Sequence, residues 1–277
     1  SLFTISFSFF HSLAAEYVPI VMGGDDMNKL LLLLLAFALA AGFSWSNGNT
    51  QILPENHYLV YDVPENYTFA ASIALADQFG LTCIYSVEMD LFATPVDKNG
   101  EGLYNPQVHH TWWKLTDPQS VWWTTINNQF GQQLWRVKDG RYLLLPALKN
   151  QPGTPPIANH YKCYDAVAPP VNIPVTLTDQ FGTYQMVATE AVLFCNPVEK
   201  CIEGGETYPI VEQIAHLACY KLEPVMQTNI TAMAYDQFGD WEVTLERPCW
   251  LCVPAEKLHT VPNEPSTWGQ IKALFEN

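Results

Sequence analysis

Four histidines, His57, His110, His160 and His216, each stand 18 to 20 residues before a copy of the tetrapeptide (D/N)-Q-F-G. Histidine is the usual side chain for proton transfer near neutral pH and a common metal ligand, so these four are the first candidates for chemistry. Their regularity argues otherwise. A residue that recurs once per repeat is more simply a structural hydrogen bonder than one of four active sites. His109 and His110 are adjacent, but consecutive residues of a strand face opposite ways and do not share a metal. Cys249 and Cys252 have C-x-x-C spacing, yet they fall in a strand-like segment rather than at the helix N-terminus that activates such a thiol. No second ligand pair completes a zinc site. Residues 97–101 set oxygen ligands around Gly100 but lack the length and terminal Glu of a calcium loop. Nucleophile elbows, phosphate loops and dinucleotide fingerprints are absent from the sequence. The expectation is a non-enzyme with no catalytic residues, no metal and no cofactor.

Aromatic side chains offer the better binding signal. Trp112, Trp113, Trp122, Trp123 and Trp135 place five of the nine tryptophans within 24 residues. A strand pair such as Trp122-Trp123 must point one ring inward and one outward. Outward rings could stack on sugars or anchor a protein. Trp112, Trp122, Trp123 and Trp135 are therefore the candidate ligand contacts, with core packing as the competing role.

The whole chain bounds the function class. Of its 277 residues 15% are charged, and 13 Lys plus Arg face 28 Asp plus Glu, for a net charge of −15. Nucleic-acid affinity comes largely from basic side chains neutralising phosphates, so DNA and RNA are not expected partners. The acidic balance also argues against a basic membrane-surface protein. Twenty prolines point to β structure with many turns.

These candidates are positioned by a fourfold repeat. Asp77, Asn128, Asp179 and Asp236 open the four Q-F-G copies; 18 residues after each comes Pro95, Pro146, Pro197 or Pro254; three further on comes Lys98, Lys149, Lys200 or Lys257. Four units follow: 57–98, 110–149, 160–200 and 216–257. Apolar residues alternate before Q-F-G, as Ile173, Val175 and Leu177 do in unit 3, which reads as a strand with one buried face. Asp or Asn before Phe and Gly after it supply turn chemistry, and Phe79, Phe130, Phe181 and Phe238 are expected to fold back into a core. A second strand (184–189 in unit 3), an apolar strand ending at the Pro (192–194) and a His-led strand complete each unit. The repeated Lys and Asp/Asn are expected at turns and solvated strand ends. The fold class is all-β: four tandem antiparallel units of about 40 residues, packed as sandwich-like pairs or else as one continuous four-unit assembly or propeller. Forty residues are marginal for an independent core, so the units should lean on one another.

Cysteines appear at the fourth position of the His segment and two before the Pro together or not at all. Unit 3 has Cys163 and Cys195, and unit 4 has Cys219 and Cys252; unit 1 has Val60 and Ala93, and unit 2 has Trp113 and Leu144. Disulfides Cys163–Cys195 and Cys219–Cys252 are predicted, each closing a loop worth roughly 3–4 kcal/mol in the chain-entropy model. Cys83, Cys201 and Cys249 are left over, with Cys201–Cys249 an open pairing.

D-Q-F-G, L-x-C-x-P-x-x-K and H-x-x-C-Y together resemble an uncharacterised prokaryotic repeat domain found in predicted secreted proteins. The resemblance runs over 57–257 and is strongest in units 3 and 4. It implies fold and compartment and carries no activity, cofactor or catalytic residue.

The compartment has its own signal. Asn28 and Lys29, the apolar run 30–42 and the Ala38-Leu39-Ala40 site form a secretory signal peptide over 27–40, too short to span a bilayer as a helix. Residues 23–27 can be encoded by a ribosome-binding sequence ahead of a start codon, so 1–26 are expected to be translated upstream DNA. Cleavage near Ala40 would leave a linker (41–56), the four units and a tail (258–277) with a short helix at 268–275. Asn66 and Asn229 begin glycosylation sequons. The expected role is a secreted, extracellular or periplasmic structural and interaction module with a protein or glycan partner at the cell surface and no membrane span. A carbohydrate-binding module using the unit 2 tryptophans is the second reading, and a hydrolase the third.

Overall fold

The computed structural model describes residues 55–119 and 121–262. The leader, the signal peptide, nearly all of the linker and most of the tail, including its expected helix, lie outside the described residues. Each unit contributes a short His-led strand, a middle strand and a long strand. Unit 1 has β1 (His57–Asp62), β2 (Thr68–Asp77) and β3 (Gly80–Lys98); unit 2 has β4 (His109–Asp117), β5 (Trp122–Asn128) and β6 (Gly131–Lys149). Unit 3 has β7 (His160–Val167), β8 (Ile173–Asp179) and β9 (Gly182–Ile202), followed by the two-residue β10 (Thr207–Tyr208). Unit 4 has β11 (His216–Glu223), β12 (Ile230–Asp236), β13 (Gly239–Leu245) and β14 (Pro248–Pro262).

The two strands expected after each Q-F-G are joined in units 1 to 3. The junction between them is a bulge: pairing slips at Met89/Leu91, at Val137/Gly140 and between Tyr220 and Leu222, opposite β9. A bulge bends and twists a strand without ending it. Each long strand therefore leaves its own hairpin at the bulge and enters a second set of pairings. Unit 4 alone breaks there, at Glu246-Arg247.

Those pairings close on themselves. The antiparallel order β1–β3–β4–β6–β7–β9–β11–β14 returns to β1, which pairs with both β3 and β14. Of the two arrangements expected, the continuous four-unit assembly is the one observed. Closure removes the exposed edges that an open eight-strand sheet would carry. An eight-strand ring has an interior that side chains can just fill. Tyr58, Val60, Ala93, Trp112, Leu144, Cys163, Cys195, Cys219 and Cys252 occupy it. Both predicted disulfides form there, between directly opposed residues. Cys83, Cys201 and Cys249 stay free. Alternate residues of the same strands, among them Tyr61, Phe92, Tyr164, Phe194 and Tyr220, pack on the other face with the hairpin residues Leu75, Phe79, Val175 and Leu177.

The ring also corrects the unit 2 register. His57, His160 and His216 lie opposite Val96, Val198 and Ala255, one past the repeat Pro, and in unit 2 that place is held by His109 opposite Ala147. His109, not His110, is the repeat histidine, and Trp112, not Trp113, stands where units 3 and 4 have cysteine. A one-residue slip in a strand exchanges its two faces. Trp112 accordingly points into the ring and Trp113 away from it.

The repeated Asp or Asn, Phe and Lys join one unit to another. The Asp or Asn before Q-F-G accepts a hydrogen bond from the Phe backbone N–H two residues on, at 2.7–2.9 Å in all four copies, an Asx turn that aims the hairpin tip. Gly80, Gly131 and Gly239 complete three of these tips at φ of +131°, +109° and +151°, values that favour glycine. The same Asp or Asn reaches the unit two places on. Tyr164 Oη donates to Asp77 and Tyr61 Oη to Asp179, both at 2.7 Å. Trp113 Nε1 donates to Asp236 at 3.0 Å, and Asn128 Nδ2 donates to Tyr220 Oη at 2.9 Å. The repeated Lys reaches the next unit's Phe. Lys98 lies over Phe130, Lys149 over Phe181, Lys200 over Phe238 and Lys257 over Phe79, at 5.9, 4.3, 4.9 and 4.7 Å from the ring centroids. The cycle of four closes. These lysines are not solvated strand ends: Lys98 and Lys200 are buried, where a cation over an aromatic face contributes about 0.5–2 kcal/mol.

Candidate binding site at the mouth of the ring

The repeat histidines fall into the same scheme. His57 bonds to Gln129, and His160 Nε2 lies 3.1 Å from Gln237, in each case the Q of the next unit's Q-F-G. His109 stacks on Phe92 and His216 on Phe194, ring centroids 5.7 and 5.5 Å apart. Burial keeps all of them neutral, pushing His57 and His216 down to about 4 and His109 and His160 to about 3. Among the described residues no group of three His, Cys, Asp or Glu is placed to hold a metal.

The tryptophan candidates separate. Trp112 is fully buried inside the ring against Tyr142 and Trp250. Trp135 is fully buried on the other face, edge-on to Tyr220. Neither presents a ring to solvent, which corrects their assignment as ligand contacts. Trp122 is half-buried and stacked on Phe79. Trp123 is 38% exposed and is the most open ring of the four.

The convergent feature lies at the end of the ring where the His-led strands begin. The four segments entering those strands enclose a cavity of about 250 Å³ lined by Glu55, Asn56, Tyr104, Asn105, Val108, Ile157, Ala158, Asn159, Val211 and Glu212. Two buried asparagines tie the segments together in matching ways. Asn56 Nδ2 donates to the Asn105 carbonyl at 2.7 Å and its Oδ1 accepts from Asn105 N at 2.9 Å. Asn159 Nδ2 donates to the Glu212 carbonyl at 2.8 Å and its Oδ1 accepts from Val211 N and Glu212 N. The segments from units 1 and 2 are thus joined as those from units 3 and 4 are.

One residue breaks the symmetry. Glu55 stands two places before the repeat His, where the other units have Gln107, Ala158 and Ile214. Its carboxylate accepts from Tyr58 Oη at 2.8 Å, from Tyr161 Oη at 2.5 Å and from Asn56 N at 2.9 Å. It therefore bridges tyrosines from units 1 and 3. Burial raises its pKa, and the tyrosine hydrogen bonds pull it part of the way back. His110 lies edge-on to both tyrosines, centroids 4.8 and 5.8 Å away, and burial lowers it to about 4. Leu103, Tyr104, Ile157, Val211 and Ile214 leave exposed apolar surface on these segments, Ile157 reaching 92%. Glu55 was not among the residues singled out from sequence; the available signal was a lone acid at a position that is uncharged in the other three units.

The chain matches the family model described as a repeat of unknown function (DUF7450) over residues 109–254. The match covers more than half of the 277 residues and starts at His109, the landmark that the strand register assigns to unit 2. No curated protein and no solved structure matches the chain.

Proposed function

The chain belongs to this family of repeats of unknown function, and from that premise we propose that it acts as a non-catalytic, exported interaction module. In this reading the closed ring is a rigid support, and the segments at its mouth meet a protein or glycan partner at the cell surface. The observation that carries the proposal is the fate of the repeated polar residues. His, Asp or Asn and Lys of the repeat are engaged between units, as are Gln129 and Gln237, whereas segments that differ from unit to unit meet at one cavity. Two disulfides support an oxidising compartment, and no helix of the described residues is long and apolar enough to cross a membrane. Asn66 and Asn229 are exposed, as glycosylation would require.

Co-sedimentation of the purified protein with intact cells of its source tests this role. The double variant Tyr104→Ala/Ile157→Asp should reduce association at least tenfold without changing the melting temperature, and Trp123→Ala should leave it unchanged. Association that survives the mouth variant would refute the reading. Loss on Trp123→Ala alone would move the site to the unit 2 aromatics and favour the glycan-binding alternative.

A further inference from the structure

We infer that the mouth cavity binds a primary alkylammonium group, presented by a small free amine or by a lysine side chain of a partner. The inference deepens the reading above and rests on its placing the contact surface at the mouth. Three observations carry it. First, the buried side-chain donors at the cavity are already used: Asn56 and Asn159 tie the segments together, and the hydroxyls of Tyr58 and Tyr161 point at Glu55. The remaining hydrogen-bonding capacity belongs largely to acceptors, above all the carboxylates of Glu55 and Glu212. Glu212 has only a 3.3 Å contact from Ile214 N on one oxygen. A ligand that pairs with these two carboxylates brings donors.

Second, the charge is uncompensated. None of the ion pairs among the described residues includes Glu55 or Glu212, and no Lys, Arg or charged His lines the cavity. An ionised carboxylate withdrawn from water is costly unless it is paired, and three hydrogen bonds offset only part of that cost. Units 2 to 4 do without an acid at this position, so the fold itself does not require one. The whole chain, at −15, adds a field of the same sign.

Third, the walls suit a hydrocarbon stem rather than a hydrated metal ion. Val108, Ile157, Ala158 and Val211 are apolar, and Tyr104 supplies an aromatic ring, a favourable neighbour for an organic cation. At about 250 Å³ the cavity is below the usual range for drug-sized ligands, about 300–1,000 Å³, and fits a chain of a few carbons ending in an ammonium.

Isothermal titration of the full chain with n-pentylammonium, with N-acetyl-lysine methylamide and with neutral 1-pentanol tests this. The expected result is saturable one-to-one binding of at least one amine and none of the alcohol. Preference between the two amines assigns the source as a free amine or a peptide lysine. Glu55→Gln, which keeps the shape and removes the charge, should weaken binding at least tenfold, and Glu212→Gln should weaken it less. Exposed Glu88→Gln should leave it unchanged. Thermal melts confirm that each variant is folded, and should Glu55→Gln fail to fold, Glu212→Gln against Glu88→Gln carries the test. No saturable amine binding, equal binding of 1-pentanol, or equal weakening by Glu88→Gln would overturn the inference. Failure of amine binding while Tyr104→Ala/Ile157→Asp still abolishes cell association would reject the ammonium site and leave the mouth as the interaction surface.

Discussion

Stability should fall steeply as the pH drops below about 6.5, because five described histidines are buried neutral. His57, His110 and His216 are pushed down to about 4, and His109 and His160 to about 3, in each case chiefly by burial. The unfolded chain then binds more protons than the native one between about pH 6.5 and those lowered values, so the stability present above that window is lost within it. At pH 5 the loss is about 2 kcal/mol per histidine, or about 10 kcal/mol for five, comparable to the whole stability of an ordinary domain. Glu55 and Asp236 act in the opposite sense, since burial raises both, and they offset part of the loss. Lys200 and Lys257 are lowered to about 7 and about 8, so stability should also rise from pH 7 towards the unfolded lysine value of about 10.4. Urea unfolding at pH 5, 7 and 9 checks this, and His216→Gln should flatten the acid limb. Equal midpoints at pH 5 and pH 7 would contradict it.

The second large effect concerns Lys162, which is 1% exposed and paired with buried Asp117. Lys162 Nζ also donates to Thr82 Oγ1 at 2.8 Å, and Gln119 Nε2 donates to the Asp117 carboxylate at 2.8 Å. Gly140 makes room for the pair: a Cβ there would lie 3.0 Å from both Asp117 Oδ2 and Lys162 Cε. Lys162→Met should destabilise the protein by about 3–5 kcal/mol, because it leaves the Asp117 charge buried without its cation. The double variant Lys162→Met/Asp117→Leu should recover most of that loss, since the pair's own attraction is largely offset by desolvation. Chemical denaturation of the two single variants and the double gives the coupling. Additive losses would show that the two groups act independently.

The repeat, the all-β class and both disulfides were legible because each rests on residues that recur at fixed offsets. Cys163 with Cys195 and Cys219 with Cys252 are present or absent together, as directly opposed residues should be. Ring closure was not legible, because β1 meets β14 across nearly the whole described chain and that meeting depends on bends made at bulges rather than on any local motif. Unit 2 misled because two histidines stand side by side, and only the strand register separates His109 from His110. The tryptophan cluster stayed open between core packing and ligand contact because composition cannot tell a ring interior from an exposed face; Trp112 fills the interior where units 3 and 4 carry a disulfide. Glu55 was invisible to a search for recurring residues because it does not recur.

The central claim is that the repeated residues lock four units into one closed, cooperative ring. Native-state hydrogen exchange tests it most directly. Backbone amides of the ring strands β1, β3, β4, β6, β7, β9, β11 and β14 should exchange through a single opening with one free energy. Tyr61→Phe, which removes the hydrogen bond from unit 1 to Asp179 of unit 3, should lower that free energy by the same amount in all four units. Earlier exchange in units 1 and 2, which lack disulfides, or a loss confined to units 1 and 3 in the variant, would contradict the account.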